Sequence, residues 1–269
     1  MAPKYELSEE SKINSHGVRL FRIRALRELP AGRADLGDLG GWVEGDWNLA
    51  QDGNCWITDD AEVFGSARLE QDAFAENDAK IFGDAHVCGQ ALASEYAQVC
   101  DRASVLQSAI ISGAAQVFEN AIVGGAAEVW GSAKIRGHVW VHGLTEVVSG
   151  TEPAVIGGGA VLTREKIQGP ADVDNASHVL TLDSLGLVAV PDITIYRTRN
   201  YPYYLVSTCF DDLRFQRMSL EEVICDVEQA LDIEQIPDAK KTLLHSELYA
   251  WKRFAEARIA RWEGEIRLQ

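Results

Sequence analysis

Small, aliphatic and turn residues recur every six positions through the middle of this chain of 269 residues. Alanine holds the first place of thirteen successive hexads, and a large aliphatic residue stands two places later in all but two of them. Odd positions are small or apolar and even positions are mostly polar, so side chains alternate between an inner and an outer face as on a strand. A hexad cannot bury an apolar face alone, and the pattern therefore predicts hexads that stack as a solenoid. The alanines of this register are Ala61, Ala67, Ala73, Ala79, Ala85, Ala91, Ala97, Ala103, Ala109, Ala115, Ala121, Ala127 and Ala133.

The fifth residue of each hexad, four places after the alanine, marks a turn. It is glycine or another residue that tolerates a positive φ in most hexads, as at Gly65, Asn77 and Gly83. A long amphipathic helix does not fit, because six is not a multiple of about 3.6 and glycine recurs too often for a helix interior. We therefore expect one short strand and one bend in every hexad.

The A-x-V-x-G-x hexads resemble those of the left-handed parallel β-helix proteins, the fold of bacterial hexapeptide-repeat acyltransferases. The resemblance implies three hexads per triangular coil. In this chain the glycine stands one place later than in the acyltransferases, as in Val63-Phe64-Gly65. This variant is most similar to a group of phage and prophage β-helix proteins, some described as acyltransferases or polymer-forming proteins, in which segments like Gly40-Gly41-Trp42-Val43 open the helix.

The predicted fold is mainly β: a left-handed parallel β-helix of about six or more coils, with a C-terminal α+β domain. We expect an N-terminal strand and cap segment at 1–41, the β-helix at 42–176 and the α+β domain, a small sheet plus two helices, at 177–269. Inward positions run from Val43 to Val147 without an insertion. The register then slips by two, and aliphatics resume at Val155, Val161, Ile167 and Val173.

The C-terminal part carries strand and helix signals. Strand-like runs cover 178–183, 193–197 and 203–210, and Ser219-Leu220-Glu221-Glu222 is a capping box that opens a first helix. A second helix is predicted from about 238 to 266, with an apolar stripe that either packs on the C-terminal sheet or pairs with a partner helix in a dimer or trimer. The stripe residues proposed for oligomerisation are Leu244, Leu248, Trp251, Ile259 and Trp262.

Charge narrows the possible partners. The net charge is −16, and residues 43–147 hold 16 acidic and 5 basic side chains, a net of −11. Direct binding to a nucleic-acid backbone is therefore disfavoured, and a partner with a basic surface is favoured. No apolar stretch is long enough for a membrane helix and no signal segment opens the chain, so we expect a cytoplasmic protein without membrane contact.

No metal or cofactor is expected. The cysteines, Cys55, Cys88, Cys100, Cys209 and Cys225, form no CxxC pair, and we interpret them as reduced packing or surface thiols. P-loop, GxGxxG, HExxH and GxSxG motifs are missing from the sequence.

Two sets of outward residues are candidate binding surfaces. Acidic residues line up at one-coil spacing, which costs repulsion, and they either form a patch that imitates a phosphate backbone or serve as solubility charge. Aromatic residues form an outward column that serves as a contact surface, stiffens the solenoid by stacking, or is covered by the C-terminal domain. The acidic candidates are Asp59, Asp60, Glu76, Asp78 and Glu95, and the aromatic ones are Phe64, Phe82, Phe118, Trp130 and Trp140.

The favoured function is therefore that of a non-enzymatic interaction protein. The phage resemblance implies an inhibitor of a host defence system, anti-CRISPR or similar, that occupies the basic channel of a nuclease or CRISPR effector. One alternative is an acyltransferase that uses His138 or His142 at a subunit interface, because the resembled enzymes use a histidine base. Another is a protein that sequesters a nucleotide signal through Arg102, Arg136 or a basic arm with Arg19, Arg22 and Arg24.

Overall fold

The computed structural model describes residues 3–150, 152–182, 193–198, 204–208, 219–233 and 236–267. The chain is mainly β, and its middle is a parallel β-solenoid of about seven coils with three walls. The predicted fold is thus confirmed, while the left-handed winding stays a prediction. We name the walls A, B and C in the order in which the chain crosses them, and each turn between two walls is named as an edge.

An antiparallel hairpin precedes the coils and extends wall A, and it consists of β1 (Tyr5–Ile13) and β2 (Arg19–Ala25). A short 3₁₀ turn, Pro30–Gly32, follows the hairpin. Wall A contains β3 (Leu39–Val43), β5 (Glu62–Val63), β8 (Lys80–Ile81), β11 (Gln98–Val99), β14 (Gln116–Val117), β17 (Lys134–Ile135), β20 (Val155–Ile156) and β23 (Asp172–Val173). Wall B contains β6 (Arg68–Leu69), β9 (His86–Val87), β12 (Ser104–Val105), β15 (Ile122–Val123), β18 (Trp140–Val141) and β21 (Val161–Leu162). Wall C contains β4 (Trp56–Ile57), β7 (Phe74–Ala75), β10 (Leu92–Ala93), β13 (Ile110–Ile111), β16 (Glu128–Gly131), β19 (Glu146–Ser149) and β22 (Lys166–Gln168).

The hexad explains this architecture residue by residue. All thirteen register alanines are at most 1% exposed, and the aliphatic residues two places later are fully buried, so both point into the prism. In the regular coils, strands β4 to β16 each pair in parallel with the strand eighteen residues later, as Gln98 does with Gln116. The turn position takes a positive φ with or without glycine, for example 69° at Gly65 and 59° at Asn77.

The first coil corrects the prediction that the repeats contain no insertion. Leu49 lies beside Leu69, twenty residues on, whereas Trp56 lies beside Phe74, eighteen residues on. Two extra residues therefore enter between Leu49 and Trp56, where Gly53 turns with a φ of 67°. The sequence pattern missed this bulge because the apolar residues on either side stay inward.

The last coils correct the predicted register slip. Ile135 pairs with Ile156 and Val141 with Leu162, each twenty-one residues apart, so the slip is three residues and not two. Ile156 and Leu162 therefore point inward, and Val161 is 47% exposed. The later inward residues, Ile167 and Val173, agree with the prediction.

Both ends of the solenoid core are closed by the rest of the chain, as a stack of coils requires. At the first end, Tyr5 lies in the core and its hydroxyl donates to the carbonyl of Leu49 at 2.7 Å. At the last end, Tyr196 joins the same core, and Ala171 bridges to Thr198. The N-terminal segment and the C-terminal sheet are therefore caps.

The C-terminal unit has a small antiparallel sheet and two helices. After the 3₁₀ turn Ala176–His178, the sheet consists of β24 (Val179–Leu182), β25 (Ile193–Arg197) and β26 (Tyr204–Thr208), and the helices are α1 (Leu220–Ile233) and α2 (Asp238–Arg267). The capping box is confirmed, because the Ser219 N–H donates to the Glu222 carboxylate at 2.6 Å and the Glu222 N–H donates to Ser219 Oγ at 3.2 Å. The predicted strand residue 183 and the outer residues of the run 203–210, which include Cys209, lie outside the described residues.

The apolar stripe of α2 packs inside its own chain. Leu244, Leu248, Ile259 and Trp262 are at most 9% exposed in one core with α1 and β25, and Trp251 packs against that core. A partner helix would have to displace α1 or the sheet to reach them. Oligomerisation through these five residues therefore stays a prediction that this packing disfavours.

A buried charge cluster joins the last coil to the C-terminal unit. The guanidinium of Arg197, 5% exposed as a residue, lies 2.8 Å from the Asp172 carboxylate and 3.0 Å from that of Asp174. Beside it, the buried His178 accepts the Asp174 backbone N–H on Nδ1 at 3.1 Å. Burial, and then the Arg197 charge, lower the pKa of His178.

We expect this histidine to make the C-terminal unit acid-sensitive. Because the folded pKa lies below the usual value of about 6.5, the unfolded chain takes up a proton first, and stability falls as the pH drops below about 6.5. The folded His178 resists protonation also because a proton on Nδ1 breaks the bond from Asp174. In urea titrations from pH 7.5 to 5.5, followed by tryptophan fluorescence, the stability advantage of wild type over His178→Gln should shrink. An advantage that stays constant or grows contradicts this assignment.

Candidate functional site

The predicted acidic residues come together along the edge between walls C and A in the first three coils. Asp59 and Asp60 form the turn of one coil, Asp78 lies in the turn of the next, and Glu95 lies in the turn after that. Glu76 is the outward residue on wall C directly before its turn. We call these five residues the acidic edge.

The backbone ladder fixes the acidic edge. The Asp60 N–H donates to the Asn77 carbonyl at 3.0 Å, and the Asp78 N–H donates to the Glu95 carbonyl at 2.8 Å. Successive turns therefore stack at the spacing of adjacent strands, about 4.8 Å. The turn backbones cannot move apart without breaking these bonds, so the main chain that carries the carboxylates is held at this spacing.

Within the acidic edge, Glu76 is affected by its burial and by the nearby charge of Asp59. The other four residues of the edge are exposed, while Glu76 is half-buried. Burial, and then the charge of Asp59, raise the pKa of Glu76. Among the described residues, only Asp60 of the five has a cation within 4.0 Å, which is the Lys12 ammonium. The other four carboxylates of the edge form no ion pair there.

The hairpin tip covers the start of the aromatic column, which corrects part of the prediction. Phe64 and Phe82 stack with ring centroids 5.1 Å apart, and the His16 ring lies about equally close to both. Phe64 is only 5% exposed, in a small cluster with Leu20 and Trp42. Phe64 is therefore not an open contact residue, whereas Phe118 farther along wall A stays half-exposed. Of the alternatives for the column, stacking is seen between Phe64 and Phe82, and the N-terminal hairpin covers Phe64.

Polar contacts hold the hairpin in this place. Lys12 Nζ lies 2.9 Å from a Glu62 carboxylate oxygen and 4.5 Å from the centre of the Trp42 ring. The side-chain amide of Asn14 donates to the Glu62 carboxylate at 3.2 Å. These residues give no signal in the sequence, because contacts up to about fifty positions apart leave no periodic pattern.

The two outward tryptophans lie on different walls. Trp130 is 46% exposed on wall C, where its indole N–H donates to Glu128 at 3.1 Å. Trp140 is 52% exposed on wall B, with its ring 4.9 Å from that of His142. They do not form one aromatic patch.

The histidines proposed for catalysis lack an orienting carboxylate among the described residues. His138 is exposed on the edge between walls A and B, and His142 is half-exposed on wall B. A different histidine has such a partner: His86 Nε2 lies 3.0 Å from Glu70 on wall B. Glu70 and His86 are sixteen residues apart, which places them in neighbouring columns of consecutive coils. This spacing is the sequence signal that could have revealed the pair. Catalysis by His138 or His142 stays a prediction.

The outward thiols are poor nucleophiles. Burial, and then the Glu70 charge, raise the pKa of Cys88, and burial followed by the Asp101 charge raises that of Cys100 to about 11. A thiol with a raised pKa carries little thiolate at neutral pH. Within the described ranges, no three His, Cys, Asp or Glu side chains gather as a metal site.

The arginines proposed for a nucleotide lie beside carboxylates. Arg136 is 3.9 Å from Asp174, Arg22 is 3.5 Å from Glu10, and Arg24 is 4.0 Å from Glu6. Arg102 lines a groove with Asp84, Asp101 and Glu119. These surroundings disfavour a bound polyanion. Arg19 is exposed.

Known protein families and curated proteins give no independent evidence for the function of this chain. In the described part of the chain, no helix combines the length and apolarity needed to cross a membrane. Neither the models of known protein families nor the curated protein sequences give a match to this chain.

Proposed function

We propose that this chain is a non-enzymatic interaction protein whose acidic edge binds the basic surface of a host protein. The observation that carries the proposal is the contrast between the acidic edge and the neighbouring carboxylate of Glu62 on wall A. Glu62 has a close ion pair with Lys12, whereas Asp59, Glu76, Asp78 and Glu95 repeat through three coils without a cation among the described residues. A ladder that stacks like charges costs stability, and a basic partner recovers that cost.

The chemistry of the partner follows from the edge. Carboxylates on turns that stack at a fixed spacing offer acceptors for lysine and arginine without a cost of ordering the backbone. A protein groove that binds a phosphate backbone presents such cations. We therefore propose the nucleic-acid channel of a host nuclease or CRISPR effector as the target. We also propose that the protein is of phage or prophage origin and acts in the host cytoplasm.

Neutralising the acidic edge tests the proposal. The variant Glu76→Gln/Asp78→Asn/Glu95→Gln removes three charges with isosteric side chains. If each lost contact is worth about 1 kcal/mol, binding of a partner captured from host lysate should weaken about 100-fold. Calorimetry with the purified partner gives the dissociation constant.

The edge between walls A and B supplies a matched control. Asp84→Asn/Asp101→Asn/Glu119→Gln changes the net charge by the same amount at three exposed turn positions. We expect it to weaken binding less than threefold, because long-range attraction alone is lost. Equal loss in both variants, or capture of no partner at all, contradicts a role of the acidic edge.

A further inference from the structure

A buried lysine and a buried cysteine lie against each other where the N-terminal segment meets the first coil. Lys4 and Cys55 are both 0% exposed, and Lys4 Nζ lies 3.1 Å from Cys55 Sγ. Lysine is almost never fully buried unless its charge is paired. In the described part of the chain, no carboxylate forms an ion pair with Lys4, whose contacts are two carbonyls and this thiol. The thiol therefore takes the place that a carboxylate usually has beside a buried ammonium.

The bulge of the first coil builds the site around the lysine nitrogen. Lys4 Nζ donates to the Cys55 carbonyl at 2.8 Å and to the Asp52 carbonyl at 3.4 Å. A lysine nitrogen has three positions for partners beyond its own carbon, so two face the carbonyls and the third faces Sγ. The main chain is held as well, because the Lys4 N–H donates to Gln51 Oε1 at 2.7 Å. The nitrogen is therefore oriented toward the sulfur.

Burial favours the uncharged forms of both groups. It lowers the pKa of Lys4 and raises that of Cys55. A neutral amine keeps two N–H groups for the two carbonyls, and its lone pair then occupies the third position, toward Sγ. An amine with an available lone pair is a nucleophile. The site thus holds a nucleophilic nitrogen against a sulfur atom, and a bond between them requires only that the sulfur becomes electrophilic.

We propose that peroxide joins Lys4 Nζ to Cys55 Sγ in a covalent cross-link. In the first step, hydrogen peroxide oxidises the thiol to a sulfenic acid and is itself reduced to water. In the second step, the amine lone pair attacks Sγ, the S–O bond breaks, and the hydroxide leaves with one amine proton as a second water. One thiol, one amine and one peroxide thus give one S–N bond and two waters, and the sulfur loses two electrons to the peroxide.

An exposed turn beside the pair controls access to the sulfur. Gln51, Asp52 and Gly53 are exposed, and the Asp52 carbonyl oxygen lies 3.9 Å from Cys55 Sγ. Local opening of such a turn requires less free energy than unfolding of the whole chain. Because a buried thiol carries little thiolate, we expect Cys55 to react with millimolar peroxide over hours and the exposed Cys225 to react first.

The cross-link has a consequence for the N-terminal cap. Lys4 directly precedes β1, and Cys55 directly precedes β4, so the bond ties the cap to the first coil across roughly fifty residues. Closing this segment restricts the unfolded chain, and the urea midpoint of the oxidised protein should therefore lie above that of the reduced protein. Excess thiol cleaves an S–N bond to a mixed disulfide and a free amine, and then reduces the disulfide, so the modification is reversible.

Mass spectrometry of a full chain whose only cysteine is Cys55 tests the inference, because no disulfide can form within it. After treatment with hydrogen peroxide, the intact mass should fall by about 2 Da, and dithiothreitol should restore it. A gain of about 14 Da also supports the cross-link, since a second peroxide then places one oxygen between nitrogen and sulfur and releases water. The substitutions that make this chain are Cys88→Ser, Cys100→Ser, Cys209→Ser and Cys225→Ser.

Lys4→Met in the same chain is the matched control. Methionine keeps an unbranched side chain of similar length but has no amine. The mass of this variant should rise by about 16 or 32 Da, as the sulfur takes up oxygen and finds no nitrogen to bind. Circular dichroism shows that each variant is folded. Peptide mapping of oxidised wild type repeats the test without any substitution, and it should find the peptide of Lys4 joined to the peptide of Cys55.

Four outcomes overturn the inference. They are oxygen additions alone at Cys55 while Lys4 is present, a loss of mass that Lys4→Met retains, a mapped joint to another lysine, and a Cys55 that stays reduced after Cys225 of wild type is fully oxidised. None of these measurements involves the acidic edge. Failure of the cross-link therefore leaves the proposed function intact, and failure of partner binding leaves the cross-link intact.

Discussion

Gly131→Ala should destabilise the solenoid by about 3 kcal/mol or more, whereas Gly65→Ala should cost about 1 kcal/mol. Both glycines hold the turn position with a φ of 69°. A Cβ on Gly131 would lie 1.7 Å from the Ser149 carbonyl oxygen, because β16 and β19 continue in register into the turn. A Cβ on Gly65 would lie 3.1 Å from the Gly83 carbonyl oxygen, which a small shift accommodates.

The two alanine variants separate backbone strain from the close approach of coils. Seven coil turns in the described residues already hold a residue other than glycine at a φ between 54° and 60°, so positive φ alone is tolerated. Urea unfolding followed by circular dichroism should show a far lower midpoint for Gly131→Ala than for Gly65→Ala. Equal midpoints would mean that the coils around Ser149 do not stack as described.

Arg197→Met should cost about 3 to 5 kcal/mol in the stability of the C-terminal unit. The substitution removes the guanidinium from the buried carboxylate of Asp172, which is 8% exposed, while it keeps much of the packing. Breaking one side of a buried ion pair leaves a charge that neither water nor the protein solvates well. The joint between the last coil and β25 should therefore open before the rest of the molecule.

Arg261→Met is the control for the arginine substitution. Arg261 pairs with Glu265 at 2.8 Å, but its side chain is 66% exposed, and such surface pairs contribute less than about 1 kcal/mol. The indole N–H of Trp262 donates to the Ser177 carbonyl at 3.0 Å, so this residue contributes to the change in tryptophan fluorescence when the joint opens. If both variants unfold at the same urea concentration, the Arg197 cluster does not hold the unit in place.

The solenoid was predictable because its determinants are local and repeated. Ala97, Val99 and Asp101 occupy the inward, inward and turn places that their hexad assigns. The capping box at Ser219 and the stripe of α2 were readable for the same reason, since each follows a short fixed spacing.

The predictions of register and exposure that proved wrong concern residues whose contact partners are far apart in sequence. The bulge at Gly53 and the slip before Ile156 change the register without changing which residue types are apolar. The cover of Phe64 depends on His16 at the tip of a hairpin, and no period links the two. Periodicity therefore identifies the walls and edges, while the packing of the hairpin and the C-terminal unit determines which of them are covered.

The acidic edge was predictable as a set of residues but not as a partly neutralised surface. Stacking at eighteen residues places Asp60 beside Asp78 from sequence alone. The position of the hairpin brings Lys12 to Asp60, whereas Asp78 and Glu95 have no cation nearby among the described residues.

The most direct test of the central claim is the hydrogen-exchange footprint of the chain bound to the basic protein that it captures. If the acidic edge is the contact surface, amides near residues 59–60, 76–78 and 95–96 gain protection, while those around His138 and His142 exchange as in the free chain. Protection confined to the histidines, or to walls away from the acidic edge, would contradict the account.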